Sequence, residues 1–179
     1  MEHSARITVL GVGNPIMGDD GVGITLLEAL MQVDAGPGLP GGPRLEFVDG
    51  GTAGMSLLPM VESSGSLLVL DAVAVPGDAG TVVHLTGDQL PRLLTSKLSP
   101  HQIGLLDVLA GARLLGTEPP RIAVVGVVPA DVDLCVGLTP QVAAAVPVAV
   151  ALAERVLRDW VSQDARLAAT ETAAAVAQP

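Results

Sequence analysis

Four acidic residues and one histidine occupy positions where their chemistry could be used together. They are Asp19, Asp20, Asp49, Asp71 and His101. Two carboxylates and one imidazole form a mixed oxygen and nitrogen ligand set that suits a divalent transition metal. Three protein ligands would also leave coordination positions open for a substrate or a water molecule.

Asp71 is the most informative of these residues because it interrupts a nearly all-aliphatic run, residues 66–73, and is the only charged residue between Gly65 and Gly77. Burying a carboxylate costs several kcal/mol unless it is paired, hydrogen-bonded or bound to a metal. Two interpretations follow. Asp71 either caps a neighbouring helix or accepts loop N–H groups, or it takes part directly in function.

Asp19 and Asp20 precede a predicted helix, where acidic residues interact favourably with the helix dipole. Two adjacent carboxylates nevertheless exceed what one helix end needs. Gly18 and Gly21 flank them and would let a partner approach the backbone closely. A structural and a functional role both stay open for this pair.

His101 belongs to a predicted capping box in which Ser99 is the N-cap, Pro100 the first helical residue and Gln102 the reciprocal side chain. The positive end of a helix disfavours imidazolium, so His101 would be neutral near pH 7. A histidine must be neutral to bind a metal. The alternative is an ordinary surface or loop histidine.

Other polar residues have simpler interpretations. Residues 49–52, Asp-Gly-Gly-Thr, form either a plain turn or part of a site. His3 is interpreted as part of the N-terminal tail and His84 as a strand-surface residue. Cys135 is expected to pack simply or to be a free thiol, since no Cys–His pairing is suggested.

The elements that must position these residues alternate between strand-like and helix-like runs. Strands are predicted at residues 7–12, 45–48, 66–73, 81–85 and 121–128. Helices are predicted at residues 21–33, 55–61, 100–115 and 140–160. This alternation favours a parallel or mostly parallel sheet with helices on both faces, in which ligands bind beyond the carboxyl ends of the strands. We expect one domain over residues 1–160 and an Ala-rich, frayed tail over residues 161–179.

Composition excludes several function classes. The chain has 179 residues, a net charge of −10, one Phe, one Trp and no Tyr, which disfavours nucleic-acid binding because phosphates are repelled and stacking rings are scarce. The segment after Gly11-Val12-Gly13 lacks the third glycine of a dinucleotide fingerprint.

One cysteine indicates a reducing compartment, and apolar runs of about a dozen residues are shorter than the roughly 20 of a membrane span. We therefore expect a cytoplasmic protein without membrane insertion.

Three separated segments resemble the hydrogenase maturation endopeptidases. They are residues 10–23, 49–54 with the downstream run 67–71, and 99–109. Residues 126–129 and 137–140 also follow the order of that family. The resemblance covers roughly residues 7 to 160. Because all of these segments occur in the order seen in the family, the match is specific to it.

The resemblance implies a fold, a reaction and a ligand set. The fold is a three-layer α/β sandwich with a mostly parallel, twisted five-stranded sheet, one antiparallel strand and helices on both faces. The reaction is removal of a C-terminal extension from a nickel-containing hydrogenase large-subunit precursor. The metal ligands fall on Asp20, Asp71 and His101, which are candidate catalytic residues together with Asp49 near the cleavage site. The nickel comes with the substrate, and other divalent metals are expected to fit the same site.

The sequence departs little from the family pattern, and two rival functions stay open. Asp20 stands where some members have Glu, which shortens the reach to a metal by one methylene. One rival is a non-enzymatic nickel-binding maturation chaperone that uses the same ligands. The other is a nucleotide-binding Rossmann-like domain.

Overall fold

The computed structural model describes residues 6–33, 44–87 and 100–176, without the side chains of residues 100–104, 106, 168 and 171–176. The strands are β1 (Arg6–Val12), β2 (Arg44–Gly51), β3 (Ser66–Ala72), β4 (Val82–Thr86) and β5 (Arg121–Val127). The helices are α1 (Val22–Val33), α2 (Leu58–Glu62), α3 (Pro100–Leu115) and α4 (Pro140–Val176). Short 3-10 turns at Gly18–Gly21 and Gly54–Leu57 precede α1 and α2.

The strands form one sheet in the order β2-β1-β3-β5-β4. All neighbouring pairs are parallel except β4 and β5, which are antiparallel. The predicted mostly parallel five-stranded sheet with one antiparallel strand is therefore confirmed. The chain moves from β1 outward to β2 and then returns to the other side of β1 for β3. This reversal makes the carboxyl ends of β1 and β3 the switch point of the sheet, where α/β proteins bind ligands.

Helices cover both faces of the sheet, as the alternation along β3 illustrates. Leu68 and Leu70 belong to the core that includes side chains of α1 and α4. Leu67 and Val69 belong to the opposite core, formed with α2 and α3. Because side chains alternate along a strand, Asp71 continues the second set. Its side chain is thereby assigned to the face covered by α3.

The apolar periodicity of α1 predicts most of its buried face correctly. Val22, Leu26, Leu27 and Leu30 are buried as predicted, whereas Met31 is about half exposed. Met31 lies at the margin of the apolar stripe, two residues before the end of the helix, where its side chain is only partly covered.

The last helix does not end at Trp160, and the predicted end is wrong. Helix α4 continues without a break to Val176. Residues 161–176 contain six Ala and no Gly or Pro, a composition that propagates a helix well. Asp164 also forms an ion pair with Arg121 at 2.8 Å, which attaches the first added turn to the sheet.

One part of this helix has the length and composition of a membrane span. Within the described residues, Pro140–Leu167 is the segment that meets such a criterion. A core helix of a globular protein meets it as well, and buried side chains along α4 pack into the core shared with α1.

Candidate active site

The loop between β1 and α1 is folded tightly against the switch point. Gly13 has φ +132°, and a Cβ atom there would lie 1.9 Å from the carbonyl oxygen of Asp20. A Cβ atom on Gly23 would lie 2.1 Å from the carbonyl oxygen of Val12 and 2.3 Å from that of Leu70. These glycines therefore allow close approach between the start of α1 and the ends of β1 and β3. Their role explains a Gly-rich segment that lacks a dinucleotide fingerprint.

Asp20 lies in the 3-10 turn that begins this helical region and is only 4% exposed. Its Oδ2 atom accepts a hydrogen bond from the backbone N–H of Asn14 at 3.0 Å. The side chain of Asn14 in turn accepts from the N–H of Ile16 at 3.3 Å. The turn packs against β3. The turn that carries Asp20 is thus held beside that strand.

Asp71 is the penultimate residue of β3 and is 1% exposed. Its Oδ1 atom accepts a hydrogen bond from the N–H of Ala72 at 2.7 Å. In the sheet it stands opposite Gly126 of β5. Two buried carboxylates from distant parts of the chain, Asp20 and Asp71, therefore border the same switch point.

Asp19 has a different role from its neighbour. It is fully buried, and its Oδ2 atom accepts hydrogen bonds from the N–H groups of Ala130 and Asp131 and from the hydroxyl of Thr139. Its Oδ1 atom accepts from the N–H of Thr139 at 2.7 Å. Burial raises the pKa of Asp19, but these hydrogen bonds outweigh it and leave the pKa below the usual value of 3.8. Asp19 fastens the loop before α4 to the loop that carries Asp20.

Asp49 lies two residues before the end of β2, at the same edge of the sheet, but is exposed. Its Oδ1 atom accepts a hydrogen bond from the N–H of Gly51 at 2.9 Å, which forms a turn closed by its own side chain. The carbonyl of Gly51 accepts from the N–H of Gly13 at 3.0 Å. The plain-turn interpretation of residues 49–52 describes this geometry, and a catalytic role for Asp49 stays a prediction.

His101 belongs to the first turn of α3, but its side chain lies outside the described residues. Helix α3 starts near the carboxyl edge of the sheet, because the parallel strand β5 that follows it starts at the opposite edge. Its first turn therefore lies at the same edge and on the same face as Asp71. Among the side chains that are described, no three His, Cys, Asp or Glu residues form a group able to hold a metal. The three-ligand set stays a prediction.

The remaining histidines and the cysteine have separate outcomes. His3 lies outside the described residues, as does Ser99 of the predicted capping box. His84 is exposed on β4, as predicted, and partial burial of its ring, together with the charge of Arg155, lowers its pKa. Cys135 is an exposed free thiol, so simple packing does not describe it.

Sequence reasoning missed the contact between the Asp20 loop and residues 131–137. The N–H of Gly18 donates to the carbonyl of Cys135 at 2.7 Å, and the N–H of Asp19 donates to that of Asp131 at 2.9 Å. The N–H of Cys135 donates to the carbonyl of Ile16 at 3.1 Å. The two segments lie more than 100 residues apart, and backbone pairing leaves no pattern of residue types. In the sequence, the closely spaced acids Asp131 and Asp133 are the signal that places residues 131–137 with the other acidic loops of this edge.

The fold and this edge define an α/β protein whose candidate site is a pair of buried carboxylates at the switch point of the sheet. The model of a family described as hydrogenase maturation protease matches residues 24–156. The chain belongs to that family and is accordingly a maturation endopeptidase, a hydrolase.

Individual relatives agree with this assignment. The chain is 41% identical over 140 residues to the hydrogenase 2 maturation protease of Escherichia coli, covering 78% of this chain and 82% of the relative. It is 39% identical over 157 residues to the hydrogenase expression/formation protein HupD of Rhodobacter capsulatus, covering 87% and 72%. Both alignments extend over most of the residues that build the sheet and its edge.

Solved structures show the same fold. The hydrogenase maturating endopeptidase HybD from Escherichia coli superposes with a TM-score of 0.77 at 39% identity, covering 86% of this chain and 93% of that one. The [NiFe] hydrogenase maturation protease HybD from Thermococcus kodakarensis gives a TM-score of 0.69 at 26% identity, covering 84% and 98%. Family membership favours the endopeptidase over the nucleotide-binding alternative.

Proposed function

We propose that this enzyme removes the C-terminal extension of a hydrogenase large-subunit precursor after nickel has been inserted, and that it recognises the nickel through Asp20, Asp71 and His101. The observation that carries the proposal is the burial of two carboxylates, Asp20 and Asp71, at one switch point. The names of the relatives, which are maturation proteases of hydrogenases, support the choice of substrate.

Buried carboxylates at this position fit the recognition of a divalent cation. Taking a carboxylate out of water costs several kcal/mol, and a bound cation offsets that cost. Oxygen ligands from Asp20 and Asp71 with an imidazole from His101 make a set that binds nickel or a similar ion. Because these are three ligands at most, the metal keeps positions for groups of the precursor.

In this proposal the nickel is part of the substrate. It is held by cysteines of the precursor, and the enzyme has no strong metal site of its own. Contact with Asp20, Asp71 and His101 places the scissile peptide bond at the carboxyl edge of the sheet. Cleavage then depends on nickel loading, because a precursor without nickel lacks the group that these three side chains bind.

The reaction is hydrolysis of one peptide bond. A water oxygen adds to the scissile carbonyl carbon, the C–N bond breaks, and a water proton passes to the leaving amine. Asp49, exposed at the same edge, is the candidate for orienting the water or the substrate backbone. We place the reaction in the cytoplasm, where a single unpaired cysteine is stable.

The test is cleavage of purified precursor, with and without nickel, followed by mass spectrometry. Wild-type enzyme is expected to shorten the nickel-loaded precursor. Asp20→Asn, Asp71→Asn and His101→Gln are each expected to slow this by about 100-fold or more, as for removal of a group that acts in the transition state or holds the substrate in register. Asp49→Asn is expected to slow cleavage by a smaller factor.

A matched control is Asp159→Asn, which changes an exposed acid of α4 away from the site. This variant is expected to cleave within about twofold of wild type, since exposed substitutions rarely matter. Equal cleavage of nickel-free and nickel-loaded precursor would overturn nickel recognition. Tight binding of the precursor with no change in its mass would favour the chaperone alternative.

A further inference from the structure

The 131–137 loop, between β5 and α4, presents apolar side chains to solvent. All seven of its residues are exposed. Its apolar members stand at alternate positions, and Leu134 and Val136 are 78% and 84% exposed, while Val132 is less so. Exposed apolar side chains grouped in this way mark an interaction surface more often than scattered ones do.

The loop is fixed in place although none of it is buried. Its backbone pairs with the Asp20 loop through Gly18, Asp19 and Cys135, and Met17 forms a parallel bridge with Cys135. The buried carboxylate of Asp19 accepts hydrogen bonds from N–H groups at the start of the loop. The apolar side chains are therefore preorganised, which lowers the entropy lost when a partner binds.

Ile16 extends this surface toward the candidate site. It is 54% exposed, and its carbonyl oxygen accepts the hydrogen bond from the N–H of Cys135. It also lies four residues before Asp20 on the loop that Asp20 holds through Asn14. We call Ile16, Leu134 and Val136 the rim patch. This patch is continuous with the edge where Asp20 and Asp71 lie.

Acidic residues predominate along the same edge in the described part of the chain. The strand ends and loops there, residues 13–21, 49–57, 71–81 and 128–139, contain seven acidic residues and no Lys or Arg. The acids are Asp19, Asp20, Asp49, Asp71, Asp78, Asp131 and Asp133. Arg6, Arg44 and Arg121 begin strands at the opposite edge. A partner that meets the rim patch is therefore favoured if it carries basic residues.

We infer that the rim patch is a docking surface for the folded body of the precursor, through an apolar spot flanked by Lys or Arg side chains. This inference rests on the proposed function, because it takes the occupant to be the substrate of the same edge. The patch supplies affinity that is the same in the ground state and the transition state, whereas Asp20 and Asp71 supply the nickel contact. Loss of the patch therefore raises KM and leaves kcat in place.

The test is a steady-state comparison on nickel-loaded precursor. Leu134→Ser with Val136→Ser is expected to raise KM about tenfold with kcat within about twofold of wild type. Asp133→Lys is expected to raise KM as well and to weaken its dependence on ionic strength. The control is Val148→Ser with Leu167→Ser, which changes two comparably exposed apolar residues of α4. The control is expected to leave both constants unchanged.

A binding measurement separates this inference from the proposed function. Nickel-free precursor is expected to bind wild type and Asp71→Asn equally and to bind the Leu134/Val136 double variant about tenfold more weakly. If wild type cleaves the precursor and the double variant has unchanged KM and binding, the docking surface is overturned and the proposed function stands. If wild type does not cleave nickel-loaded precursor at all, the proposed function fails instead, and the binding result alone decides the docking surface.

Discussion

The carboxylate of Asp19 accepts hydrogen bonds from both the backbone N–H and the hydroxyl of Thr139, a residue 120 positions further along the chain. Thr139 immediately precedes the first residue of α4, Pro140. The negative charge of Asp19 therefore lies near the positive end of that helix. One buried side chain thus connects the start of the last helix to the loop that carries Asp20.

Asp19→Ala is expected to lower the free energy of unfolding by about 3 kcal/mol, because hydrogen bonds to a charged group are lost and buried donors are left without partners. Urea unfolding followed by circular dichroism measures this. Asp107→Ala, which removes an exposed acid from α3, is the control and is expected to change the value by about 0.5 kcal/mol or less. A similar value for both variants would show that Asp19 is not a fastening point.

The contribution of Asp19 is expected to depend on pH in one direction. Its pKa in the folded protein is below the usual 3.8, because hydrogen bonds outweigh the effect of burial. The stabilisation is therefore complete above about pH 4 and is lost as the pH falls through the lowered pKa. Urea unfolding of wild type and Asp19→Ala at several pH values measures how the stability difference between them depends on pH. A stability difference that already shrinks between about pH 7 and 5 would contradict this assignment.

Two helical glycines are expected to respond to alanine with opposite signs. Gly23→Ala places a Cβ atom 2.1 Å from one carbonyl oxygen and 2.3 Å from another, so the start of α1 must shift and the Asp20 turn with it. We expect lower stability and slower precursor cleavage. Gly111→Ala meets side-chain atoms no nearer than 3.7 Å, and alanine favours the helix by about 0.5–1 kcal/mol. Thermal unfolding of both variants measures the two changes in stability. Stabilisation by Gly23→Ala would contradict the close packing.

Arg121 connects the amino edge of the sheet to the extended part of α4. Its guanidinium donates to Ser66 at 2.9 Å, pairs with Asp164 at 2.8 Å and lies over the ring of Trp160 at 5.4 Å. Asp164→Ala is expected to destabilise the protein by about 1–2 kcal/mol, since the pair is partly buried and has further hydrogen bonds. Denaturant unfolding checks this.

Asp159→Ala, an exposed acid one turn earlier, is the matched control. Truncation after Trp160 is expected to be at least as costly as Asp164→Ala, because it removes Asp164 along with the helix. Truncation after residue 168 keeps the ion pair and is expected to cost less. Equal stability of the two truncated proteins would show that residues 161–168 are not attached to the domain.

The sequence predicts most of the sheet because its signals are local. The aliphatic run at residues 66–73 predicts β3 to within one residue, and its single charge predicts Asp71 as a buried group. The polar start and apolar continuation after Ser99-Pro100 predict the bounds of α3. Burial and periodicity are properties of short segments, and they are therefore readable from one chain.

The functions of neighbouring residues are less readable because they depend on distant partners. Asp19 and Asp20 have the same side chain and the same local context, yet Asp19 faces donors at residues 130, 131 and 139 while Asp20 holds Asn14. Nothing near residue 19 indicates those donors. The end of α4 was misplaced for a related reason, because Asp164 is attached by Arg121, which lies 43 positions earlier.

The 131–137 loop is fastened by main-chain atoms, whereas its outward side chains at positions 132, 134 and 136 have no part in that attachment. Substitutions at these positions are therefore expected to disturb the scaffold that supports Asp20 little. If the rim patch docks the precursor as proposed, exchanging these outward side chains is expected to change which hydrogenase precursor is bound. Grafting the corresponding triplet from another family member tests whether selectivity between hydrogenases is carried by so short a stretch.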